Sequence, residues 1–177
     1  MSIESGTHRL GPDNATLSVL TRRAGAAAKA GHDLVLRVTS WEGALVAGPE
    51  PADTSLELTA DATSLRVVEA TGGMQPLGED DVANIHQTID EEVLRRQDIK
   101  FRSSLAQTEG GRIHAEGDLT LAGETRPIAV DLVIGEGGEL SATVEITQSE
   151  WGMKPYSALF GALKVKDEVE VVLEGHL

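Results

Sequence analysis

The chain has 177 residues, 40% of them hydrophobic and 25% charged, a balance that predicts one folded domain spanning residues 1–177. Acidic residues outnumber basic ones 29 to 15, and the formal charge of -14 argues against general affinity for nucleic acid or an anionic membrane surface. The absence of cysteine excludes disulfides, thiolate chemistry and cysteine-ligated zinc. No apolar run approaches the roughly 20 residues that a membrane-spanning helix needs. Residues 1–6 carry neither a basic start nor an apolar stretch, so the expectation is a soluble, cytoplasmic protein.

Alternation with a period of two dominates the chain and predicts strands with one buried face. Residues 14–23 set Ala15, Leu17 and Val19 on one side. The alanine-rich stretch 24–30, closed by Gly31, reads as a very short helix. Residues 32–46 turn Leu34, Leu36 and Val38 inward, with a bend or bulge expected at Gly43. In 55–62, Leu56, Leu58, Ala60 and Ala62 oppose polar neighbours. Residues 79–96 read as a helix, since Val82, Ile85, Ile89 and Val93 recur at steps of three and four. Its first turn holds Glu79, Asp80 and Asp81 and its end Arg95 and Arg96, the polarity a helix dipole favours. Strand spacing returns at 99–105, with Ile99, Phe101 and Ser103 on one side, and at 112–121, with Ile113, Ala115, Gly117, Leu119 and Leu121. Residues 127–134 place Ile128, Val130, Leu132 and Ile134 inward, with Val133 as the exception. Residues 139–147 do the same with Leu140, Ala142, Val144 and Ile146. Residues 163–173 form the last strand, interrupted by a turn or bulge at Asp167.

Eight strands joined by short glycine-bearing links, among them 122–126 and 135–138, predict antiparallel order. Eight one-sided strands hide their apolar faces by rolling into a barrel or by stacking as two sheets; strand length favours the barrel. The fold class is therefore all-β with one or two short helices, an eight-stranded antiparallel β-barrel. Its inward rows mix aliphatics with Ala60, Ala62, Ala115, Gly117 and Ala142, and the whole chain holds five aromatics: Trp41, Phe101, Trp151, Tyr156 and Phe160. Two readings of that interior stand side by side: an apolar tunnel for a hydrocarbon chain, or small residues fitting a solid taper. On the tunnel reading, Gly117→Trp fills the lumen and leaves folding intact. Residues 149–161, irregular and rich in aromatics, read either as a plug at one end or as a lid with Lys154 or Tyr156 facing a polar head group.

Chemistry-bearing patterns are sparse. His32 and Asp33 are neighbours whose side chains diverge on a strand. His86 falls on the helix beside Ile85 and Ile89, His114 on a polar strand face, and His8 and His176 near the ends. No metal-binding histidine spacing, nucleophile elbow, phosphate loop or dinucleotide fingerprint occurs, so no metal, cofactor or catalytic set is expected.

Several short motifs match a known family. They are Leu17-Ser18-Val19, Asp61-Ala62-Thr63-Ser64-Leu65, Ile99-Lys100-Phe101-Arg102-Ser103, Gly117-Asp118-Leu119-Thr120-Leu121 followed by Gly123-Glu124-Thr125-Arg126-Pro127, and Trp151-Gly152-Met153. In this the chain resembles the YceI-like family of polyisoprenoid-binding, lipocalin-like barrels. The resemblance implies an eight-stranded barrel whose tunnel holds a long isoprenoid or similar amphiphile, and a homodimer. Many relatives begin with a signal peptide, which residues 1–6 do not resemble. Residues 26–33 stand where many members have a different connection. The expected ligand contacts are Leu17, Val19, Leu36, Leu58, Phe101, Leu119, Val130, Leu132 and Val144, with Trp151, Tyr156 and Phe160 near one end. The alternatives are a ligand-free structural or stress-response module acting through its acidic surface or dimer contacts, and a hydrolase or isomerase on a lipid-like substrate using His32 or His86.

Overall fold

The computed structural model describes residues 3–177. Their order is β1 (Gly6–Leu10), β2 (Ala15–Thr21), β3 (Arg23–Ala24), β4 (His32–Val38), β5 (Trp41–Ala47), β6 (Ser55–Ala60), β7 (Leu65–Gly72) and helix α1 (Glu79–Thr88). Then come β8 (Ile99–Glu109), β9 (Arg112–Leu121), β10 (Glu124–Ile134), β11 (Glu139–Thr147), β12 (Ser157–Ala158), β13 (Leu163–Val165) and β14 (Glu168–His176). Eleven strands form one antiparallel sheet in the order β1-β5-β6-β8-β9-β10-β11-β14-β2-β4-β7, and β12-β13-β3 form a small ribbon. Each strand of the large sheet contributes a residue to the lining of a single cavity, so the sheet is strongly curled.

The expected eight strands differ from these eleven for local reasons. Edge strands β1 and β7 are largely exposed on both faces, so neither carries the in-out alternation that marks a strand in sequence. The strand expected over 32–46 divides at Thr39 and Ser40, not at Gly43. There the sheet folds over: Thr39 N–H donates to Ser64 O and Asp61 N–H to Ser40 O, both at 3.0 Å, keeping backbone groups paired around the corner. The last strand divides beside Asp167 as expected. The Asp167 carboxylate accepts the Ser149 N–H (2.7 Å) and bonds the Ser149 hydroxyl, while its carbonyl accepts the Gln148 N–H (2.8 Å).

The links expected to be tight are tight. Ala122 and Gly123, at φ 49° and 83°, make the left-handed two-residue turn that matches strand twist between β9 and β10. Helix α1 is shorter than expected. After Thr88 the backbone widens into a π-turn over Ile89–Val93, closed by Leu94 N–H on Ile89 O (2.9 Å), and Arg95 and Arg96 both adopt φ 55°. This wide turn is followed by buried Leu94 and places Ile89 and Val93 on the cavity beside Ile85 of α1. The alanine-rich stretch supplies a 3₁₀ turn at Ala28–Ala30 only, because Arg23 and Ala24 are drawn into the ribbon.

One end of the curled sheet is solid. Leu45, Ile113 and Leu140 are fully buried there, away from the cavity, and Leu132, equally buried, stands at the boundary between the solid and the hollow part. Gly117 belongs to the close-packed β8–β9 contact, not to the lumen: a Cβ on it would strike Arg102 O and lie 2.7 Å from Ser103 Cα. Gly117→Trp would therefore disrupt the strand pair, correcting the expectation that it fills the interior.

Candidate functional site

The alternating strands that bury one face leave the other half of the curled sheet hollow, around a cavity of about 830 Å³. This falls in the upper part of the range of about 300–1,000 Å³ usual for small-molecule sites. Nine of the expected contacts line it: Leu17, Val19, Leu36, Leu58, Phe101, Leu119, Val130, Leu132 and Val144. They come from seven strands, brought together only by curling. Tyr156 also lines the cavity, half-exposed. Trp151 and Phe160 do not. Trp151 is buried behind the wall with its Nε1–H donated to Leu119 O (2.9 Å), whereas Phe160 stands fully exposed in the β12–β13 turn. Segment 149–161 is thus wall at its start and rim at its end.

The cavity opens where α1 and the loop before it face the ribbon. Met74, Gln75, Asn84, Tyr156 and Lys164, all exposed, line that mouth. Polar groups concentrate there. Thr21 continues the inward row of Leu17 and Val19, and its buried Oγ1 has no hydrogen-bond partner among the described residues. Arg23 crosses the rim with Nη1 donating to Gly31 O (2.9 Å) and Thr71 O (3.3 Å).

Both candidate histidines are tied to the backbone. His32 lines the mouth and donates from Nε2 to Gln75 O (2.8 Å), while the Asp33 carboxylate accepts the Arg23 N–H (2.8 Å). His86 does the reverse: its Nε2 accepts the Val67 N–H (3.0 Å), clipping α1 to the free edge of β7. That bond requires a neutral ring with its proton on Nδ1. Burial holds the His86 pKa below the usual value, the Arg66 guanidinium adds to this, and Asp90 opposes it. His114 lies outside, between Asp131 (2.8 Å) and Glu116 (3.5 Å), whose hydrogen bonds raise its pKa. Among the described residues no three His, Asp or Glu side chains are grouped to hold a metal ion, and no helix is long and apolar enough to cross a membrane.

Several lining residues escaped the sequence reading. Thr21 was legible as the next position of its alternating row. Arg23 stands one step further along the same row, where its charge argued against an inward position, and Met153 was marked by the Trp151-Gly152-Met153 motif but lies in a loop without the periodicity that would have turned it inward.

Comparison with known proteins agrees with this architecture. BcnA of Burkholderia cenocepacia superposes with a TM-score of 0.65 at 15% identity, covering 90% of this chain and 94% of that one. A polyisoprenoid binding domain from Saccharophagus degradans, implicated in plant cell wall breakdown, gives 0.57 at 8% identity, covering 98% and 100%. At such identities the likeness is one of fold. A comparison with curated proteins finds no match. The YceI-like domain pattern matches residues 12–177, nearly the whole chain, and the protein therefore belongs to the YceI-like family.

Proposed function

We propose that this protein binds and carries a long-chain isoprenoid or similar amphiphilic lipid, with the chain in the cavity and the head at the mouth. The observation that carries the reading is the division of the cavity: aliphatic side chains from all around the sheet within, and Thr21, Arg23, His32 and Lys164 gathered at the open end. Each buried methylene contributes roughly 0.8 kcal/mol, so about ten carbons supply around 8 kcal/mol before ordering costs. The wall fits this role with β1–β2, β4–β5 and β6–β7 acting as three bent strands, so that the sheet works as an eight-stranded barrel.

The reading is non-catalytic. His32 and His86 spend their Nε2 atoms on backbone partners, which leaves neither poised beside a nucleophile or a second acid-base group. Native mass spectrometry of protein purified without detergent, followed by organic extraction, tests the assignment. A stoichiometric hydrophobic passenger, or stoichiometric uptake of a fluorescent polyene fatty acid by emptied protein, is the expected result. Protein that emerges empty and takes up no probe would refute it.

A further inference from the structure

The mouth is electrically divided. Four of the chain's five lysines, Lys29, Lys154, Lys164 and Lys166, lie in or beside the β3–β12–β13 ribbon, together with Arg22. All five of these cations are exposed, and none is ion-paired among the described residues. Register sorts the ribbon into two faces. Val165 pairs with Arg23, Lys164 with Ala24, and Lys166 N–H donates to Arg22 O (2.8 Å). Arg22, Lys164 and Lys166 therefore share one face, while Leu163 and Val165 on the other line the cavity. Neighbouring Asp33 and Asp167 are engaged with Arg23 N–H and Ser149; the exposed acids beside the ribbon are Glu150 of the adjoining loop and Glu168 at the start of β14, against five cations. Across the mouth the signs reverse: Glu79, Asp80 and Asp81 open α1, and Asp90, Glu91 and Glu92 follow it.

At the ribbon's tip stands Phe160. Its φ of 56° and the 87° of Gly161 form the turn between β12 and β13, with the ring fully exposed. An aromatic ring held in water beside unpaired lysines matches the chemistry of a membrane interface with anionic head groups. We propose that the β3–β12–β13 ribbon is a docking tip for an anionic lipid bilayer, with Phe160 inserted and the cations on lipid phosphates. The tip is continuous with the cavity through Tyr156 and Lys164, so docking sets the mouth against the bilayer, ribbon first and acidic helix outward. The net charge of -14 does not forbid this. At about 0.1 M salt the screening length is roughly 10 Å, so the surface that touches the membrane decides, not the sum over the molecule.

The proposal goes beyond carriage of a lipid, and its test separates the two. The full chain is mixed with vesicles of phosphatidylcholine containing about 30% phosphatidylglycerol, and with vesicles of phosphatidylcholine alone, at about 0.1 M salt. Binding to the anionic vesicles, weakened by added salt, is expected. A Phe160→Trp variant should show a blue shift on those vesicles, because Trp41 and Trp151 are already buried. Phe160→Ser and the pair Lys29→Glu with Lys166→Glu should each lower vesicle affinity about tenfold or more. Both should leave uptake of a polyene fatty acid from solution unchanged, since these residues lie outside the cavity lining. Equal binding to both vesicle types, no binding at all, or variants that bind like the wild type would overturn the docking tip and leave the carrier reading standing. A dimer in vesicle-free solution that Phe160→Ser dissociates would assign the tip to a second copy, and also overturn it. Vesicle binding by a protein that never takes up a probe would do the opposite, keeping the tip and refuting the carrier.

Discussion

His86 and His114 answer acid in opposite directions because one ring is an acceptor inside and the other a bridge between carboxylates outside. Burial and Arg66 hold the His86 pKa below its unfolded value near 6.5, so the unfolded chain binds the proton first as pH falls. The His86 contribution is complete above that value and is lost as pH drops toward the folded pKa. His114, raised by Asp131 and Glu116, contributes fully below about 6.5 and loses its contribution as pH rises through its folded pKa. Thermal melts at pH 5.5 and 7.5 separate the two. His86→Gln should make the protein less sensitive to acidification than the wild type, and His114→Gln more sensitive. Identical acid responses in all three proteins would show that neither geometry governs titration. Trp151 illustrates a different kind of residue: its Nε1–H satisfies Leu119 O on β9, so this ring holds the wall rather than the ligand.

Among the elements, the β8–β9 pair is the most sensitive joint. Its register shifts between Ser103 and Leu105, and at that bulge the β8 backbone comes so near Gly117 that a side chain has no room. Gly117→Ala should cost about 1–3 kcal/mol through overpacking. It should appear as a lower urea midpoint at unchanged slope; an unshifted midpoint would mean that the strands separate freely there. Helix α1 is held differently. Its N-terminus is closed by Asp81 accepting the Gly78 N–H (2.8 Å), its side by the His86–Val67 bond, and its apolar side chains face a hollow instead of a packed layer. For that reason it contributes no buried residue of its own.

Taken whole, the molecule is half solid and half hollow, and the hollow half tolerates added bulk that the solid half does not. Val144 is half-buried because it faces the cavity, not solvent. Val144→Trp should therefore block uptake of a polyene fatty acid while shifting the melting temperature only slightly. Retained stoichiometric uptake by the folded variant would place the ligand elsewhere. The comparable position at the solid end is Ile113, fully buried, where the same enlargement would unfold the chain.

How much of this the amino-acid order reveals depends on whether a residue's environment repeats along the chain. The alternating rows of β9, β10 and β11 were readable because one face meets apolar neighbours and the other meets water at every second residue. The nine ligand contacts chosen from these rows and from those of β2, β4, β6 and β8 all line the cavity, and the motifs spread along them pointed to the family. Edge strands β1 and β7, wet on both sides, left no such trace, and the corner at Thr39 and Ser40 depends on a partner 24 and 25 residues away. Alternation alone could not say whether the inward faces meet or stand apart, nor that Trp151 turns into the wall while Phe160 turns out. Those outcomes follow from how far the sheet curls and where its irregular loops cross, which long-range pairing decides and no local pattern encodes.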